Sequence, residues 1–330
     1  MVGGPETSGE VAVVDRGGRL LRLGAVVACA LALLSSVACS TGSHAAAGRA
    51  TRRPGADVVV ASFNFPESEL LAQIYAQALA GAGIPVEPEL NLGPRELVLP
   101  AFQQGLVDLV PEYLGSALTS LQPNAAVGPR DEATERAKLA GAVRPWGGHV
   151  LTPAPAENQN GLVVTRTTAE KYRLRAVSDL ARVAGQMTLT GPAECPQRDY
   201  CLEGLQRVYG LHFRNFIPFD AEQERVTALN EQVADVAVMF TTDAYLASGD
   251  LVLLADDRNL QPSENVVPLA SGTAISRYGG RLTQTLDAVS ARLTTANLVF
   301  LNWRVLLDGK DPGTEARGWL ERHGLLKRPT

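Results

Sequence analysis

Two places in this chain put reactive side chains where local structure would present them. The first is Asp108-Leu109-Val110-Pro111-Glu112-Tyr113, followed by Leu114-Gly115-Ser116. An amphipathic stretch over 95–104 stops at Gly105, a short apolar strand (Leu109-Val110) follows, and small residues after Tyr113 begin another helix. A carboxylate and an aromatic ring therefore stand where a strand ends and a helix starts, the usual position of a ligand in an open α/β sheet. The second place is the apolar run 235–240, which ends in Thr241-Thr242-Asp243, a helix cap, with Tyr245 in the first turn. Aromatic residues make up only 5% of the chain, so a tyrosine at such a junction stands out from a sparse background. Each residue also has a plainer reading. Tyr113 is then a core ring at a strand end, Glu112 a bridge between lobes or a turn holder, and Asp243 a cap.

These junctions need alternating strands and helices to hold them. Residues 57–62 form a continuous apolar run suited to a buried parallel strand, and Phe63-Asn64-Phe65 leads on to Pro66-Glu67-Ser68-Glu69. Proline at the first helical position, with acids in the first turn, marks a helix start. Leu70, Leu71, Ile74, Ala78 and Leu79 make its apolar face, and Gly81 and Gly83 end it. A strand over 86–90, the helix over 95–104 and Leu109-Val110 complete a βαβαβ unit, for which a parallel sheet is the economical arrangement. After a Pro-rich passage (152–156), strands are expected over 161–165, 187–190, 216–219, 235–240 and 251–254, with helices over 202–209 and 222–230. Residues 261–269 read as a second crossing segment, and helical stretches over 280–295, 298–307 and 315–323 close the chain. The pattern predicts two α/β lobes joined by a two-segment hinge. Lobe one is 57–157 plus 267–330 and lobe two is 158–266.

The N-terminus reads as an export signal. Arg16, Arg19 and Arg22 precede an uncharged run over 23–38 that ends in Ser36-Val37-Ala38-Cys39. The run is short of the roughly 20 residues that a membrane span prefers. A bacterial lipoprotein signal over 1–38 is expected, with Cys39 as the lipidated first residue and 39–56 as a Ser-, Gly-, Ala- and Arg-rich tether. With Cys29 inside the signal, Cys195 and Cys201 remain with five residues between them. In an oxidising compartment that spacing is best read as a disulfide closing a small loop. The formal net charge of −5 gives no basic field, so nucleic acid is not an expected partner. His44, His149, His212 and His323 are scattered without ligand spacing, so neither metal nor cofactor is expected.

Four blocks, in order, carry a resemblance. They are VVVASFNFPESELLAQIYAQALAGAGIPVE from Val58, LGPRELVLPAFQQGLVDLVPEYLGS from Leu92, GLQRVYGLHF from Gly204 and VMFTTDAYLASGDLVLLADDRN from Val238. Together they resemble the substrate-binding proteins of ABC importers for glycine betaine, choline and related quaternary ammonium compounds. The resemblance implies a bilobed type II periplasmic-binding-protein fold that takes one small solute by hinge closure and delivers it to a permease and its ATPase. A trimethylammonium head offers no hydrogen-bond donor, so such sites use aromatic faces, worth roughly 0.5–2 kcal/mol per ring. By position, Tyr113 and Tyr245 match cage tyrosines. Asn64 and Phe65 match the first turn, and Thr241, Thr242 and Asp243 frame the helix start of the second lobe. Departures accompany the match: the family's Gln after its FTE turn is Ser68 here, and a hinge NNTY reads Asn158-Gln159-Asn160-Gly161. Tyr200, inside the disulfide loop, is a candidate replacement ring.

An enzyme is not expected, because no GxSxG elbow, HExxH helix or phosphate-cradling loop is found. Two alternatives stay open: an importer for a non-cationic or aromatic solute, and an exported hydrolase using carboxylates such as Glu112 and Asp243.

Overall fold

The structure, a computed structural model, describes residues 57–122 and 131–326. The signal over 1–38, the lipidation site Cys39 and the whole of the tether lie outside the described residues. No helix among the described residues is long and apolar enough to cross a membrane.

Among the described residues ten strands form two five-stranded sheets: β1 Val58–Phe63, β2 Val86–Gly93, β3 Leu109–Tyr113, β4 Gly148–Val150, β5 Asn160–Thr165, β6 Thr188–Gly191, β7 Asn215–Pro218, β8 Val236–Phe240, β9 Leu251–Leu254 and β10 Val266–Ser271. The first sheet has the order β2-β1-β3-β10-β4 and the second β7-β6-β8-β5-β9. The α-helices are α1 Pro66–Gly81, α2 Arg95–Gln103, α3 Leu114–Leu121, α4 Glu132–Val143, α5 Arg166–Tyr172, α6 Leu202–Tyr209, α7 Glu222–Asn230, α8 Gly272–Tyr278, α9 Gly280–Ser290, α10 Thr295–Asn302 and α11 Pro312–Arg322.

Alternation along the strands explains why each sheet is covered on both faces. Val58 and Val60 point into a core shared with α1, α9 and α11, while Val59, Ala61 and Phe63 point into one shared with α2 and α4. In the second sheet Leu189, Val236 and Val238 face the core that holds the disulfide, and Val163, Ala237 and Met239 face α7. Cys195 and Cys201 are bonded, with 5.2 Å between their Cα atoms.

Neither sheet is purely parallel. β10 runs antiparallel to both β3 and β4, and β5 antiparallel to both β8 and β9. Both are strands entered by a chain crossing from the other sheet, and that crossing reverses their direction. β3 also runs further than its apolar pair suggests, because Pro111, Glu112 and Tyr113 pair with Pro268, Val267 and Val266 of β10. Pro268 turns its carbonyl away from Pro111 and accepts the Leu151 N–H at 3.0 Å, so Pro111 and Pro268 oppose each other at a position where the β3–β10 ladder exchanges no bond. The two crossing passages lie side by side: Asn158 donates its N–H to the Glu264 carbonyl at 3.0 Å, and Glu157 bridges Asn265.

Candidate functional site

β1 ends at Phe63 and β3 at Tyr113, at the carboxyl edge of the first sheet. The chain leaves β1 through Asn64 and Phe65, and Pro66 starts α1 with a fixed φ and no N–H to satisfy. The Phe63 N–H is taken by Ser68 Oγ at 2.9 Å, which folds the turn back on itself. Three rings line up as a result: Phe65 stacks on Phe63 with centroids 5.9 Å apart, and on Tyr113 at 6.1 Å. Phe63 and Tyr113 are buried, Phe65 is half-buried and Asn64 is exposed. Phe65, covering Tyr113, is therefore the most accessible ring of this wall.

Glu67, buried in the first turn of α1, is the anchor of the wall. Its Oε1 accepts the Tyr113 hydroxyl at 2.6 Å and Asn158 Nδ2 at 2.8 Å, and its Oε2 accepts Asn302 Nδ2 at 2.5 Å. Asn302 Nδ2 also donates to the Thr242 carbonyl at 2.8 Å. One carboxylate thus joins the first sheet, a crossing passage, the end of α10 and, through Asn302, the Thr241–Tyr245 turn. Burial, and after it the charge of Glu67, pushes the Tyr113 hydroxyl well above its ordinary pKa.

Glu112, fully buried, holds the turn. Arg95 grips it through Nε at 3.0 Å to Oε1 and Nη2 at 3.0 Å to Oε2, and the Tyr113 N–H adds a third bond at 2.9 Å. Burial opposes the charge of Arg95, but Glu112 outweighs it and raises the guanidinium above its ordinary value. That guanidinium also lies 5.0 Å from the centre of the Phe63 ring. The first N–H groups of α3 are already taken: Leu114 and Gly115 donate to the carbonyls of Asn265 and Ser263, and Ser116 donates to Glu264 Oε2 at 3.0 Å. Burial lifts the Glu264 carboxyl to about 7 against the opposing bonds from Ser116.

In the second half, Thr241 serves the crossing passage. Its Oγ1 donates to the Glu157 carbonyl and accepts the Gln159 N–H, each at 2.9 Å. Thr242 is buried and offers its carbonyl to Asn302. Asp243 caps a 3-10 turn over Ala244–Ser248, its Oδ1 accepting the Tyr245 N–H at 2.9 Å. Burial, reinforced by the carboxylate of Glu222, raises Asp243 to about 7, although Arg225 and the Tyr245 bond pull the other way. The half-buried Tyr245 ring packs on the small cluster formed by Val163, Leu229, Ala237, Met239 and Leu251. Tyr200, its hydroxyl pushed up to about 12 mainly by burial, borders a cavity of about 20 Å³ shared with Tyr209, Asn160 and Leu260. That volume has room for about one water and none for a solute.

A family model described as the substrate-binding domain of an ABC-type glycine betaine transport system matches residues 56–322. The chain belongs to this family. Among relatives, it is 28% identical over 275 residues to the glycine betaine-binding protein YehZ of Escherichia coli, covering 79% of this chain and 88% of that one. It is 25% identical over 270 residues to the ergothioneine transport permease and binding protein EgtU of Helicobacter pylori, covering 81% of this chain and 48% of the longer relative. A crystal structure of a glycine betaine/carnitine/choline ABC transporter protein superposes with a TM-score of 0.74 at 24% identity, over 82% of this chain and 99% of the other. The fold of this family member is thus the bilobed one that its blocks implied.

In the sequence Glu67 stands out only as an acid at a helix start, and Asn302 is not among the expected site residues. A signal for Asn302 existed: it lies one turn from Leu298 and next to Leu301, a polar residue on a stripe that is otherwise buried and apolar.

Proposed function

We propose that this protein is the extracytoplasmic, lipid-anchored solute receptor of an ABC importer and that its solute is a quaternary ammonium compound of the glycine betaine, choline or carnitine type. The observation that carries the solute class is the wall of Phe63, Phe65 and Tyr113 at a strand-end edge, with the buried tyrosine held by a buried carboxylate. Aromatic faces attract an alkylammonium ion without needing donors from it. Arg95 over Phe63 uses the same attraction within the protein. Asn64 and Phe65 form the accessible part of the first jaw. Thr241, Thr242, Asp243 and Tyr245 form the second, and 57–157 with 267–330 closes against 158–266 about the paired crossing passages. Closure is then a population shift driven by contacts made to both lobes at once. Cys39 carries the lipid, and the closed form docks on a permease served by an ATPase. A hydrolytic pair of Glu112 and Asp243 finds no support, because Glu112 is sealed under Arg95.

The experiment is a thermal-shift panel of glycine betaine, choline, carnitine, proline and neutral aromatic solutes, followed by calorimetry on whatever binds. A ligand that binds only the native state raises the melting point, by an amount that grows with the logarithm of its concentration relative to its dissociation constant. A response confined to the quaternary amines is expected, and a response confined to neutral solutes would overturn the solute class. Membrane fractionation of cells tests the anchor: the full chain should follow the membrane, and a Cys39→Ser chain that stays there would remove lipidation from the proposal.

A further inference from the structure

We infer that Glu67 is the charge that makes this site select a cation, a positioning and specificity-determining carboxylate whose counter-ion is the solute. The inference rests on the reading of the aromatic wall given under the proposed function. Glu67 is only 6% exposed, and its hydrogen-bond partners are neutral donors: the Tyr113 hydroxyl and the amides of Asn158 and Asn302. No lysine or arginine pairs with it among the described residues. Glu112, one residue before Tyr113 and also buried, is instead gripped by the Arg95 guanidinium. A buried charge is costly unless it is compensated. Neutral donors solvate the Glu67 carboxylate, and the N-terminus of α1 offsets part of its charge, but a net negative charge stays behind the wall.

That charge reaches the wall through one ring. The Tyr113 hydroxyl donates to Glu67, and a hydrogen bond to a carboxylate polarises the phenol so that its ring face grows more negative. The Tyr113 ring also touches Phe65, the accessible member of the stack. A cation held at this wall feels both the ring face and the carboxylate behind it. A neutral solute of identical shape gains the packing and nothing more. Glu67 is thereby assigned to discrimination by charge, and the rings to discrimination by shape.

The test compares choline with 3,3-dimethylbutan-1-ol, its neutral carbon isostere, by calorimetry and by displacement. The proteins are wild type, Glu67→Gln and Tyr113→Phe. The readout is the ratio of the two dissociation constants, or its lower bound where the neutral ligand does not saturate. Glu67→Gln is expected to weaken choline about tenfold or more and the isostere less than about threefold. Equal loss for both ligands, or an unchanged affinity for choline, would overturn the inference and make Glu67 a purely structural anchor. Should Glu67→Gln fail to fold, Tyr113→Phe decides, since it keeps the ring and the carboxylate and cuts the bond between them. A loss confined to choline supports the inference, and an equal loss or none sinks it. Wild-type protein that binds no quaternary amine at all would bring down the proposed solute class and this inference with it. Wild-type binding with equal losses in the variants would bring down the inference alone.

Discussion

The two strand-to-helix turns of this molecule are built alike and held differently. Each places an acid at the start of a helical segment beside an aromatic residue: Glu67 with Phe65 and Tyr113 in the first half, Asp243 with Tyr245 in the second. Glu67 takes its donors from positions 46, 91 and 235 residues away. Asp243 takes its bond from the N–H two residues on and has the like charge of Glu222 beside it. The first turn is therefore fixed by the rest of the fold. In the second, Thr241 and Thr242 reach distant partners, but the acid itself serves only a local cap and its charge is contested.

Asn302→Ala attacks the long-range half of the contrast and should have the largest effect. It removes the donor that serves both Glu67 Oε2 and the Thr242 carbonyl, leaving two buried acceptors without that partner. A loss of about 2–4 kcal/mol is expected, read from the denaturation midpoint with the slope unchanged. A loss below about 1 kcal/mol would mean that the first turn is held locally too, and the contrast would collapse.

How much of this could be read beforehand follows from the same distinction between local and distant contacts. Pro66 announces α1 and the run after Asp57 announces β1, because a helix start and a buried strand are written in adjacent residues. Tyr113 was conspicuous for the same reason, a rare ring at a visible junction. Glu67 was not, since an acid in a first turn ordinarily needs no explanation beyond the helix dipole. Its distinction lies in partners that only the folded chain brings near. The continuation of β3 through Pro111 is hidden likewise, because only the register with β10 shows that Pro111 stands at a position where that ladder exchanges no bond. The antiparallel course of β5 and β10 depends on the chain crossing between sheets, which apolar runs do not record.

Acid titration sharpens the second half of the comparison. Asp243 and Glu264 both sit at about 7 in the fold, above the ordinary carboxylate range of the unfolded chain. Between about pH 4 and pH 7 the native state keeps protons that the unfolded state has released, so stability from these groups falls as pH rises through that window. Above about 7 both states are ionised and the contribution is flat. The slope per group is at most about 1.4 kcal/mol per pH unit. Asp243→Asn keeps an oxygen for the Tyr245 N–H and removes the charge facing Glu222 and Arg225. It should therefore be more stable than the parent at pH 8 and lose part of the slope, with Glu264→Gln removing another part. Melting curves from pH 4.5 to 8.5 read both effects. A variant slope identical to that of the parent would show that Asp243 is not contested.

The smallest expected effect separates the two tyrosines. The Tyr113 hydroxyl is buried and donates to a carboxylate at 2.6 Å, while that of Tyr245 makes no hydrogen bond among the described residues. Tyr245 contributes through its ring, packed on the cluster around Met239 and Leu251, and through its N–H on Asp243. Tyr245→Phe retains both contributions, so its stability should stay within about 0.5 kcal/mol of the parent, as substitutions outside buried networks usually do. Urea denaturation at pH 7.5 measures it. A loss above about 1 kcal/mol would place the Tyr245 hydroxyl in a bond comparable to that of Tyr113, and the contrast between the two tyrosines would be gone.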